Sequence, residues 1–202
     1  MTATTIIIAI ILFIIWRYFL YVFKKNKLEY FHFVLGSVGF FIFSFWLLQP
    51  TLTPYLMRLV CYLTGLLGNI SGVFTAYTSY GILFIENQYG PISLYIDFEC
   101  AGLIEIIVYV ALLLYFRIYT KKEKAYLLVT GVLYIIGANV IRLFVICCII
   151  HYFGNEYYYL AHTIVGRLLF YALTVALYFN VFTSKQIRKQ QSGGFEYDGK
   201  LN

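Results

Sequence analysis

The chain has 202 residues, of which 62% are hydrophobic, 21% aromatic and only 12% charged, with a net charge of +6. A water-soluble domain carries roughly twice that charged fraction, about 25%, so the composition excludes one and identifies an integral membrane protein. The basic residues fall in short clusters beside apolar stretches: Lys24, Lys25 and Lys27, then Lys121, Lys122 and Lys124, then Lys185, Arg188 and Lys189. Clusters of this kind mark cytoplasmic helix ends and exclude a nucleic-acid face.

The apolar segments run Ile6 to Phe23, Phe31 to Leu48, roughly Tyr55 to Tyr77, Leu103 to Tyr119, Ala125 to Phe153 and Thr163 to Phe182. Most reach the ~20 residues needed to cross a bilayer, which predicts an all-α polytopic membrane protein with five or six transmembrane helices. The first segment has no small-residue cleavage site after it, so it reads as a retained anchor. Placing Lys24 to Lys27 in the cytoplasm puts Gln49 and Pro50 outside, and the third segment, which carries Arg58 and several glycines, must then be accommodated. Either it lies on the outer face or re-enters, giving five crossings, or the first loop breaks the positive-inside rule, giving six; that rule favours five. Between Tyr80 and Glu99 the pattern alternates, with Ile92, Leu94, Ile96 and Phe98 on one face and Ser93, Tyr95, Asp97 and Glu99 on the other. This predicts a small extracellular β-hairpin, Ile82 to Glu86 and the strand from Ile92, turning at Asn87 to Pro91 and delivering Cys100 to a helix start. Residues 1–182 read as one membrane domain and residues 183–202 as a basic, flexible cytoplasmic tail.

The cysteines Cys61, Cys100, Cys147 and Cys148 make no CxxC pair and no metal-ligand spacing, so neither a metal, a disulfide framework nor any cofactor is expected. Counting back from the basic tail places Cys100 and His162 at the outer face. Arg142, 17 residues beyond Ala125, sits ~26 Å up its helix and near the same depth. Cys100 is expected at the N-cap or first turn, where unpaired N–H groups and the helix dipole lower a thiol pKa. Gly102 would permit close approach, while Asp97 and Glu99 oppose the lowering. Asn139 and Arg142 share one helix face in an apolar stretch, where a charge is costly unless paired or turned to a polar cavity. Two readings are open for Arg142: a clamp on an oxyanion or substrate carboxylate, with Asn139 as a further donor, or a structural pair with Glu105. His162 is suited to take a thiol proton and return it to a leaving amine. Arg167, about 140° around the same helix, reads as packing or a second substrate contact.

Cys100-Ala101-Gly102-Leu103, then Asn139-x-x-Arg142, then His162, in that order across roughly Tyr55 to Phe182, resemble the exosortase and archaeosortase family of membrane transpeptidases. The chain is most similar to the short Gram-positive exosortase G branch. The resemblance implies an exosortase-like core over residues 55–182, with Cys100 as nucleophile and with Arg142 and His162 essential. It also implies a bacterial plasma-membrane enzyme that cleaves the C-terminal sorting signal of surface-targeted, membrane-anchored proteins on the outer face, passing the acyl group to an acceptor. Ala101 departs from the Ser or Thr that usually follows the cysteine. The alternative is a non-catalytic membrane subunit of a polysaccharide, glycosyltransferase or export assembly; a small transporter is disfavoured by the lack of paired broken helices.

Overall fold

Helix α1 (Ala3–Lys25) opens the computed structural model, which describes residues 3–88, 90–184 and 187. The basic tail expected over 183–202 lies almost wholly outside the described residues. Helix α2 (Glu29–Ser71) follows, and then three short strands, β1 (Phe74–Tyr77), β2 (Ile82–Ile85) and β3 (Ile92–Tyr95). Helix α3 (Leu103–Tyr115) leads to α4 (Lys121–Phe153). After α4 comes a run of helix comprising a π turn at Leu160–Val165, α5 (Gly166–Tyr178) and a second π turn at Phe179–Thr183. Among the described residues four helical spans are long and apolar enough to cross a membrane, Ile7–Lys25, Glu29–Ser71, Lys121–Phe153 and Asn155–Thr183, and α3 is a shorter apolar helix. The protein is a multi-pass helical membrane protein.

The third apolar segment is not a helix of its own. Pro50 and Pro54 stand inside one helix of 43 residues, about 65 Å long at 1.5 Å per residue, and between them the Thr53 hydroxyl donates back to the Gln49 carbonyl at 2.6 Å. The helix stops where Gly72 takes the left-handed conformation, φ 69°, and donates its N–H to Gly68 O at 2.8 Å. The residues after it become β1, so the expected hairpin is a three-stranded antiparallel sheet in the order β1-β2-β3. Phe74 pairs with Ile85 and Ala76 with Leu83, which pairs in turn with Leu94. Phe74, Leu83, Ile85, Leu94 and Ile96 are buried in a core that includes Val60 and Cys61 of α2 and Leu143, Ile146 and Ile150 of α4. The period-two pattern that reveals β2 and β3 is shorter in β1, where it follows a long apolar run and is masked by it.

One end of the bundle gathers the clusters Lys24 to Lys27 and Lys121 to Lys124. Arg117, just after α3, pairs with Glu29 at the start of α2 (2.5 Å), Phe116 meets Phe182 edge-on with centroids 5.1 Å apart, and a capping box of Thr120 and Glu123 starts α4. The sheet, Cys100 and His162 lie at the opposite end. Helices close on one another through small residues: a Cβ at Gly36 would fall 2.2 Å from the Tyr115 ring, and one at Gly131 would fall 2.2 Å from Tyr109. The β2–β3 turn is latched to the far end of α4. The Asn87 side chain donates to Ile150 O (3.1 Å) and to Asn155 Oδ1 (2.8 Å), while His151 Nδ1 meets Glu86 O at 2.8 Å.

Candidate functional site

Asp97, Phe98, Glu99 and Cys100 form a tight turn after β3. Its geometry follows from Asp97, whose carboxylate accepts the Cys100 N–H at 2.9 Å and whose carbonyl accepts Ala101 N–H at 2.8 Å. An aspartate three residues ahead is the usual way to satisfy such an N–H. Gly102 then takes φ 77° and becomes the N-cap of α3, with Ile106 N donating to its carbonyl. Cys100 is thus two residues short of the cap, a correction to the helix-start placement, and its own N–H is already occupied. The Cys100 thiol is buried, with 3% of the residue's surface exposed. Burial pushes it up to about 11 from an ordinary 9.0; Arg142 pulls down and Asp97 pushes up further. The lowered thiol pKa expected from a helix start is therefore reversed.

Three elements hold Cys100. Asp97 takes its N–H, the Asn139 side chain on α4 donates to its carbonyl oxygen, and His162 Nε2 lies 3.2 Å from its Sγ. His162 sits in the π turn Leu160–Val165, where one extra residue per turn re-aims the side chain. Its ring is stacked on Tyr158, centroids 5.7 Å apart and planes 4° apart. Gly166 lets this segment lie against α4, since a Cβ there would come 2.7 Å from Ile146.

Arg142 is also buried, its guanidinium carbon 5.6 Å from the centroid of the fully buried Phe170 ring. Within the described residues its Nε has no hydrogen-bond partner, nor have Asn139 Oδ1 and Glu105 Oε2. No ion pair joins Arg142 to Glu105 among the described residues; each feels the other's charge at longer range. The structural pair considered from the sequence is replaced by stacking on Phe170. Arg142 is within electrostatic reach of both Cys100 and His162. Glu99 and Arg167 are exposed, near enough to His162 to be felt by it but not in contact with it.

The arrangement unites a thiol, an imidazole and a buried cation with a free donor, which can carry out nucleophilic acyl transfer. A family model described as transmembrane exosortase matches residues 1–179. The chain belongs to that family. No curated protein and no solved structure matches it. Exosortases are cysteine-dependent transpeptidases that sort membrane proteins bearing a C-terminal signal, so this exosortase is in general terms a membrane-embedded protein-sorting peptidase. Sequence reasoning about it missed two partners of the site. Tyr158 is one of three consecutive tyrosines, Tyr157 to Tyr159, and nothing singles it out, although a spacing of four before His162 puts both on one helix face. Phe170 carries no signal of its own in an apolar helix.

Proposed function

We propose that this exosortase is a cysteine transpeptidase of the bacterial plasma membrane with Cys100 as nucleophile, His162 as base and acid, and Arg142 as the stabiliser of developing charge. The observation that carries this reading is the 3.2 Å approach of Cys100 Sγ to His162 Nε2 from 62 residues away in sequence. Burial keeps the thiol protonated at neutral pH, so the resting pair is thiol and neutral imidazole. As Sγ attacks the carbonyl carbon of the scissile amide, Nε2 takes the thiol proton. The oxyanion that forms is met by the Arg142 guanidinium. The C–N bond then breaks, the imidazolium returns its proton to the leaving amine, and a thioester remains on Cys100. An acceptor amine, giving its proton to His162, displaces Sγ and closes the new amide, and the thiol is restored. Asn139 and Gly102 position Cys100, Glu105 tempers the Arg142 charge, and Glu99 and Arg167 are placed to touch substrate.

The substrate in this reading is a membrane-anchored protein whose C-terminal sorting signal combines a short motif, a transmembrane helix and a basic cluster. With the basic end in the cytoplasm, α1 to α5 make five crossings, α2 crossing once and running on at the outer surface, and the site faces outward. Within the family, this reading favours the exosortase G branch, on the order of Cys100, Arg142 and His162. The test is co-expression with a reporter fused in turn to the C-terminal signals of surface proteins from the same organism. Processing should be lost in Cys100→Ala and in His162→Ala, while folded protein persists in the membrane, and a hydroxylamine-sensitive acyl adduct should map to Cys100. Full processing by Cys100→Ala would end this reading in favour of the non-catalytic membrane subunit.

A further inference from the structure

Helix α2, about 65 Å long, is more than twice the ~30 Å of a bilayer's hydrocarbon core. Its second half has two faces. Val60, Cys61, Thr64, Gly65 and Gly68 are buried, and Gly65 and Gly68 press on Ala76 and Phe74 of β1. Tyr55, Leu59, Tyr62, Leu66 and Ile70 are exposed, and steps of four, three, four and four keep them in one stripe about 22 Å long. An apolar stripe on the back of a helix already packed on its other face is the form of an element lying in a membrane interface.

At the edge of this stripe stands Arg58, exposed and without an ion-pair partner among the described residues. It borders a cleft of about 460 Å³ together with Leu59, Tyr62, Thr78 and Ser79. The two hydroxyl residues belong to the β1–β2 turn. Tyr80 N–H donates to Tyr77 O at 3.1 Å within that turn, and Gly81, at φ 65°, abuts Met57 so closely that a Cβ would fall 2.4 Å from its sulfur. The turn that carries Thr78 and Ser79 is therefore fixed beside Arg58 by its packing on α2.

We propose that this cleft binds the phosphate of a membrane phospholipid, with the acyl chains lying along the Tyr55–Ile70 stripe. A guanidinium presents a planar fork of donors suited to a phosphate, and two hydroxyls and a tyrosine add neutral donors to an anion held at the water boundary. No acidic side chain borders the cleft. The occupant is a lipid and not a free phosphate because the apolar stripe continues directly from the cationic edge. Bound there, the lipid holds the second half of α2 at a set depth, and with it the sheet and the turn that carries Cys100. Nothing in this site depends on Cys100 being catalytic, so it stands or falls apart from the proposed function.

The test is native mass spectrometry of the full chain in detergent, titrated with dioctanoyl phosphatidylglycerol and, separately, with glycerol 3-phosphate. One lipid should bind ahead of the rest, and Arg58→Gln should weaken it about tenfold, the range of one lost charge-assisted contact. The Thr78→Ala, Ser79→Ala double variant should weaken it less, and Lys121→Gln with Lys122→Gln at the far end should leave this first site unchanged. Equal first-site affinity in wild type and Arg58→Gln would overturn the proposal. So would glycerol 3-phosphate binding as tightly as the lipid, since the stripe would then contribute nothing.

Discussion

The reactivity of Cys100 with pH separates two kinds of cysteine site. A thiol moved from 9.0 up to about 11 has roughly a hundredfold less thiolate at any pH below about 8, equivalent to about 3 kcal/mol. At pH 8 that is about one thiolate in a thousand, against one in ten for an ordinary thiol. The sign follows from the surroundings: burial disfavours the charged form and raises the value, while Arg142 favours it and limits the rise. The assay is alkylation of the membrane-embedded chain with a small neutral haloacetamide from pH 7 to 10, read at Cys100 by peptide mass spectrometry. A Cys148→Ser background suits it, because Cys148 is the least buried of the other cysteines. The rate should climb tenfold per pH unit without levelling, and Arg142→Gln should slow it further at every pH. A plateau below pH 8.5 would refute the reasoning, because it would reveal a resting thiolate–imidazolium pair.

Gly102→Ala should cost about 1–2 kcal/mol through the left-handed backbone alone, since a Cβ there meets only Asn139 at an ordinary 3.5 Å; a lower melting temperature and slower processing check it. Gly131→Ala drives a methyl to 2.2 Å from Tyr109 and should destabilise by about 1–3 kcal/mol. Gly137→Ala, with nothing within 4 Å, should be neutral or gain up to ~1 kcal/mol; thermal unfolding in one detergent compares the pair. Asn87→Ala removes two hydrogen bonds worth about 1 kcal/mol each, and should raise hydrogen exchange at both the β2–β3 turn and residues 154–157.

Much of the site was legible because membrane insertion makes polar residues conspicuous. Arg142 and Asn139 stand out within an apolar helix, and charge clustering places Cys100 and His162 at one end. The structure joins Asn139 and His162 directly to Cys100 and sets Arg142 within electrostatic reach of it. What remained hidden has a physical cause in each case. Helix α2 reads as two segments because Gln49 and two prolines interrupt its apolar run, yet prolines are tolerated in membrane helices where neighbouring groups re-satisfy the backbone. Strand β1 closes the apolar run Tyr55 to Tyr77 and so reads as the end of that segment. The environment of Cys100 was misjudged because a helix start was inferred from the onset of hydrophobicity, whereas Asp97 supplies a separate cap upstream.

Apart from the bond from Asn139, the contacts that complete the Cys100 end close across similar spans of chain. Cys100 waits for His162, Asn87 for Ile150 and Asn155, and Glu86 for His151, separations of 62 to 68 residues. During synthesis the N-terminal part emerges first, so the sheet and the cysteine turn are made well before the residues that fasten them. Until the last helix has entered the membrane, the thiol has no imidazole beside it and the β2–β3 turn has no latch. With Cys100 as the proposed nucleophile, assembly order leaves the half-made chain without the base that would activate it.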